Sequence, residues 1–104
     1  MSAEQRLGEL GLELPPVRPP AASFVNAVRT GNLVYLSGAG PVTAAGQVPT
    51  GKVGADVTTE EAAEHARVVA LNLLAVLRHE VGSLDRVTRV VKLLGMVNAT
   101  PDFV

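Results

Sequence analysis

The longest regular pattern in the chain is helical. Ala62, Ala66, Val69, Ala70, Leu73, Leu77 and Val81 recur mainly at spacings of three and four, which places them on one stripe of an α-helix. Thr58 or Thr59 can cap its start, with Glu60 and Glu61 suited to the positive end of the helix dipole. If Thr58 is the cap, Glu61 falls at the capping-box position. Gly82 is the natural stop. Val68, Leu71 and Val76 widen the apolar surface beyond one stripe, so this helix is expected to be covered on more than one side.

Two regions follow a period of two instead. Val25, Ala27 and Arg29 alternate with Asn26 and Val28, then Thr30-Gly31-Asn32 leads into Leu33-Val34-Tyr35-Leu36-Ser37. Two β-prone runs around a Gly-Asn pair predict a hairpin through Val28–Gly38, with glycine free to take the positive φ of the turn. Arg86 to Asn98, RVTRVVKLLGMVN, is rich in β-branched residues and predicts a strand. Its Val87, Val91, Leu93 and Val97 fall on one face, and Val90, Leu94 and Met96 on the other. Apolar residues on both faces call for cover on both. The helix can supply one layer; the other must come from further structure or another subunit.

The flanking segments are less regular. Ser2 to Leu10 has a short helical pattern with Leu7 and Leu10 on one side and Gly11 as terminator. Leu14 to Pro20, LPPVRPP, reads as an extended linker, with a proline-recognition ligand as the alternative. Ala39 to Val57 reads as loop with one short strand near Gln47–Val53. Its glycines do not make a phosphate loop, because GQVPTGK is followed by Val53 where Ser or Thr is required. Thr100-Pro101-Asp102 is a helix-start signal with only Phe103 and Val104 after it, so a truncated domain is expected.

Composition narrows the class. Of 104 residues, 47% are hydrophobic and 18% charged, which is globular, and the net charge of −1 leaves no electrostatic footprint for nucleic acid or an anionic membrane. With two Phe, one Tyr and no Trp, base stacking is poorly supported. The absence of cysteine removes disulfides, thiolate nucleophiles and Cys-type zinc sites. The polar, acidic N-terminus is unlike a signal peptide, and no apolar run reaches membrane-spanning length. A cytoplasmic location is the expectation.

Candidate chemistry is sparse. His65 and His79 lie fourteen residues apart on the predicted helix, roughly 20 Å, too far to share a metal. Glu61 and His65 can touch at i, i+4, most simply as a surface pair. Ser37 ends a strand and precedes Gly38, where a ligand can approach the backbone closely. Y-L-S-G-A is not a nucleophile elbow, so Ser37 reads as a strand end or as a hydrogen-bonding wall of a site. Arg29, Arg86, Arg89 and Lys92 are the cations near strands; Lys92 is expected to be partly buried and paired, with anion binding as the alternative.

The run Asn26-Ala27-Val28-Arg29-Thr30-Gly31-Asn32-Leu33-Val34-Tyr35-Leu36-Ser37-Gly38 resembles the opening hairpin of the RidA/YjgF family, whose members read close to QAVRVGNLVFVSGQ there. A glycine-rich segment, a helix carrying Asn72 in Ala70-Leu71-Asn72-Leu73-Leu74, and a strand through Val90-Val91-Lys92 reaching Asp102-Phe103 follow in the family's order. The resemblance covers about residues 23–104, leaving 1–22 as an N-terminal helix and proline-rich linker.

That resemblance implies an α+β, chorismate-mutase-like fold, a mixed sheet packed against helices on one face, of which a second helix and the last two strands would be missing here. It implies a homotrimer with sites in the clefts between subunits, no cofactor, and hydrolytic deamination of enamine or imine intermediates of the 2-aminoacrylate type. A non-catalytic trimer that binds small carboxylates or keto acids is the alternative, and an endoribonuclease or translation inhibitor, the family's older label (endoribonuclease L-PSP), a third. The partner is then a small-molecule substrate bearing a carboxylate, with neither nucleic acid nor membrane.

Phe24, Ser37 and Gly38 carry over as substrate-binding wall residues, although Phe24 replaces a family Tyr and lacks its hydroxyl. Ala39 replaces the Gln after Ser-Gly, and Pro101 the Asn before Asp-Phe. The family's carboxylate-binding Arg and water-positioning Glu lie in strands after the second helix, and neither Arg89 nor Glu80 matches their motifs, so no catalytic residue is assigned in this chain.

Overall fold

A computed structural model describes all residues, 1–104, in the order α1 (Ala3–Glu9), β1 (Ala27–Thr30), β2 (Leu33–Leu36), α2 (Thr59–Val81) and a 3-10 turn at Leu84–Arg86. It is a small α+β fold in which a two-stranded antiparallel sheet lies against α2.

α2 starts and stops where its sequence dictates. Thr58 is the N-cap; its hydroxyl accepts from the Glu61 N–H, and the Glu61 carboxylate accepts in return from the Thr58 N–H. Gly82 ends the helix at φ 89°, a conformation that costs a side-chain-bearing residue energy. The hairpin pairs Ala27 with Leu36, Val28 with Tyr35, Arg29 with Val34 and Thr30 with Leu33. Gly31 turns it with φ 56° while Asn32 keeps negative φ, the arrangement that puts glycine first in a two-residue turn. Ala27, Val34 and Leu36 are half-buried, whereas Val28, Leu33 and Tyr35 face outward and exposed.

The first strand is shorter than its alternation suggested. Phe24 and Val25 precede β1 and are exposed. The expected strand near Gln47–Val53 is reduced to bridges from Val53 to Val57 and to Ala99. α1 forms with a Ser2–Gln5 capping box, and Leu7 is buried. Leu10 is the helix C-cap and 52% exposed, so the apolar face of α1 is one residue wide.

α1 is held mainly by polar contacts. The Glu4 carboxylate accepts from Arg78 Nε and Nη2 on α2 and from the Leu84 N–H. Asp85 in turn accepts from the Glu4 N–H. Each acid thus satisfies an orphan N–H at the start of the other's helical turn.

The main departure from expectation is the segment after the 3-10 turn. Arg86 belongs to that turn, and no regular strand forms over Arg86–Asn98. From 88 to 97 no backbone hydrogen bond is made; the next is Asn98 C=O accepting from Val53 N–H. β-structure requires a paired neighbour, and none reaches this segment. Val91, Leu93, Leu94 and Met96 are 75–87% exposed. Lys92 is exposed and unpaired, against the expectation of partial burial in an ion pair. The fully buried set is small: Leu7, Val53, Val57, Ala75, Val81 and Leu84. The Thr100-Pro101-Asp102 signal makes a single turn closed by Phe103 N–H to Thr100 C=O.

The Glu4 clasp has a definite pH signature. Arg78 first, then the Leu84 N–H, hold the Glu4 carboxyl below its ordinary value of 4.5. Its contribution is therefore complete above that value and is lost as pH falls through the lowered one. Glu4→Gln is expected to melt at lower temperature than the parent at pH 7, with the gap closing in acid. Thermal melts across pH check this; a gap of constant size would contradict it.

Candidate functional site

The open end of the hairpin is where the sequence candidates gather. Beyond the Ala27–Leu36 pair, Ser37 N–H donates to Asn26 C=O, and the Ser37 hydroxyl donates to Val25 C=O. Ser37 is thus fixed against the residue that follows Phe24. Its hydroxyl proton is committed to a carbonyl and no histidine bonds to it, which leaves no activated nucleophile.

Gly38, like Ala39 after it, lacks backbone hydrogen-bond partners within the chain. The space a Cβ would occupy at Gly38 is empty to 4 Å. An N–H without a partner beside a free approach is a donor for a ligand oxygen. Phe24 stands 43% exposed on the other side of Val25. Ser37, Gly38 and the Phe24–Val25 segment therefore adjoin and form an open wall rather than an enclosed cavity.

The loop that continues this wall is tied down from two directions. Asn72, on the α2 face beneath the hairpin, donates its side-chain N–H to Val42 C=O at 3.0 Å and Gly40 C=O at 3.4 Å. Arg18 donates Nη2 to Thr43 C=O at 2.9 Å and Ala44 C=O at 3.2 Å. Arg18 is itself located by Asn26, whose side-chain N–H donates to the Arg18 carbonyl at 2.9 Å. Asn72 was visible in the sequence as a polar residue within an apolar run; Arg18 carried no signal apart from its charge among prolines.

The remaining candidates do not join this wall. Glu61 is occupied by the Thr58 cap and makes no bond to His65. His79 lines a shallow cleft of about 440 Å³ between Val17–Pro19, the start of β1 and α2, which contains neither Ser37 nor Gly38. No group of three or more metal-ligating side chains comes together. No helix is long and apolar enough to cross a membrane.

This fold, a hairpin with a Ser-Gly end laid on one long helix, is a small α+β one consistent with the YjgF-like type. No protein-family model matches the chain. A solved structure from Agrobacterium tumefaciens, Atu1372, of unknown function, superposes with a TM-score of 0.82 at 39% identity, covering 97% of this chain and 60% of that one. A Shewanella oneidensis MR-1 structure, named as a "putative endoribonuclease", has a TM-score of 0.76 at 32% identity over 83% of this chain and 57% of that one. Protein TCP17 of Trypanosoma cruzi is 39% identical over 97 residues, 93% of this chain and 61% of TCP17. The chain thus spans about three-fifths of the length of these relatives. The Asn26–Gly38 motif and these likenesses fit the RidA/YjgF family.

Gly38→Ala separates access from folding. The new methyl meets nothing within 4 Å, and φ there is not positive, so stability is expected to change by less than about 0.5 kcal/mol. The same methyl narrows the space beside the free N–H, so affinity for any ligand oxygen seated there should fall. Urea denaturation and calorimetric titration check the two halves; unchanged affinity would remove Gly38 from the site.

Proposed function

We propose that this chain supplies one wall of the small-carboxylate cleft of a RidA-type enamine and imine hydrolase. The observation that carries the reading is the unpaired Gly38 backbone at the hairpin end, beside the fixed Ser37. Such a wall suits a planar 2-imino or 2-oxo acid, which offers oxygens for backbone donors and no bulk to exclude.

The reaction requires little equipment. An enamine of the 2-aminoacrylate type takes a proton on carbon and gives one up from nitrogen to become the imine. Water then adds to the imine carbon while the nitrogen gains a proton. The C–N bond breaks, ammonia leaves, and the 2-keto acid remains. No oxidant, metal or organic cofactor enters the balance. A group must hold the carboxylate, best done by a guanidinium through two parallel hydrogen bonds, and another must place the water. None of the 104 residues matches the family motif for either role. This chain's contribution is the wall, and the assembled site is proposed to lie between the subunits of a homotrimer.

The trimer reading draws on the exposed apolar residues of the hairpin's outer face and of segment 88–97, the kind of surface that marks an interaction site when it is contiguous. An endoribonuclease reading draws only on the name of the Shewanella relative. The net charge of −1 and the scarcity of aromatic residues speak against tight RNA binding.

The protein in its natural assembly, added to serine and a serine dehydratase, is expected to accelerate pyruvate release. No acceleration by a trimeric preparation would overturn the hydrolase reading and leave keto-acid binding as the alternative. Sedimentation equilibrium is expected to give three copies per particle, and a clean monomer would contradict the intersubunit cleft.

A further inference from the structure

We propose that Arg18 and Asn72 are positioning residues that hold the loop from Gly38 to Gly46 as a rigid continuation of the site wall. The proposal rests on the reading of Ser37-Gly38 as that wall. It gives the proline-rich segment before the hairpin a task beyond linking.

The loop has few fastenings of its own. Within it, Val42 N–H bonds to Gly40 C=O, Gly46 N–H to Thr43 C=O, and Thr43 N–H to Gln47 C=O. These close a small turn over Thr43–Gln47, to which the Thr43 hydroxyl adds a bond from Gln47 N–H. None ties the loop to the rest of the fold. That is done by the two side chains, which between them take the carbonyls of Gly40, Val42, Thr43 and Ala44. Asn72 reaches up from α2, a rigid helix capped at both ends. Arg18 reaches across from the linker, its guanidinium lying over Gly46, where a Cβ would come within 3.7 Å of Nη1.

The chemistry of the two donors explains the choice of residues. A loop carbonyl cut off from water and left unpaired costs free energy, which applies most to Val42, whose bond from Asn72 is part-buried. A planar guanidinium can serve two adjacent carbonyls from one nitrogen plane, and an amide N–H₂ can do the same with shorter reach. Arg18 is in turn fixed through its own carbonyl by Asn26, one residue before β1 and directly hydrogen-bonded to Ser37. The chain Ser37–Asn26–Arg18–Thr43 therefore closes a ring of hydrogen bonds around the start of the loop, with Asn72 as a second support from below. Loosening either support frees the residues next to Gly38 without touching Gly38 itself.

The test is amide hydrogen exchange on the full chain, comparing the parent with Arg18→Ala and Asn72→Leu. Leucine keeps the branched outline of Asn72 on the helix and removes its amide hydrogen-bonding groups. Exchange of the Val42, Thr43 and Gly46 amides, the loop N–H groups that have hydrogen-bond partners, should quicken by roughly tenfold in each variant, the size expected for losing a net hydrogen-bond contribution, with β1, β2 and α2 changing less than about twofold. Arg18→Lys, which keeps the charge and an N–H donor group but not the planar fork, should recover part of the protection. Affinity for 2-oxobutyrate should fall alongside by calorimetry.

Unchanged exchange of the Val42, Thr43 and Gly46 amides would overturn the proposal, as would quickened exchange with unchanged 2-oxobutyrate affinity. If Asn72→Leu loosens α2 as well, Arg18→Ala alone decides, since Arg18 lies off that helix. If the parent binds no keto acid, the site reading above fails, and the exchange pattern still decides whether these two residues hold the loop.

Discussion

Everything described here is hung on one helix. α2 runs from the Thr58 capping box to Gly82. On its surface it gathers the hairpin, the loop after Gly38 through Asn72, and α1 through Arg78. A 23-residue helix capped at both ends is the one element long enough to remain rigid while short pieces are fastened to it. Its packed face is made of Ala, Val and Leu, which bury little area each. Polar fastenings from Glu4, Arg18 and Asn72 supplement that packing.

The same arithmetic explains the exposed segment. Residues 88–97 have the alternation of a doubly covered strand, yet they have neither backbone partners nor side-chain cover. A strand is not a local object: its hydrogen bonds and both of its faces belong to neighbours. The segment is anchored only at its far end, where Asn98 and Thr100 bond to Val53 and the Asn98 side chain to Gly51.

What could be read from the sequence divides along that line. Local signals were legible: the Thr58 cap, the Glu61 reply, the Gly82 stop and the Gly31 turn each act within a few residues. The hairpin motif also carried the family. Long-range pairing was not legible. Nothing in the spacing of Glu4, Arg78 and Asp85 announces that they meet across more than seventy residues. The predicted burial of Lys92 failed because it assumed neighbours for its strand. Leu10 failed because an α1 of seven residues ends before a second apolar turn can form. For the site, the bond that sets Ser37 against Val25, next to Phe24, and the brace from Arg18 emerged only from geometry, whereas Asn72 stood out in the sequence as a polar residue within an apolar run.

The central claim is that the free backbone at Gly38 receives a small keto or imino acid. The most direct measurement is a proton–nitrogen correlation spectrum of the protein titrated with 2-oxobutyrate. The account predicts saturable shifts centred on the amides of Ser37, Gly38 and Ala39. Absence of shifts there, or shifts confined to the cleft beside His79, would contradict it.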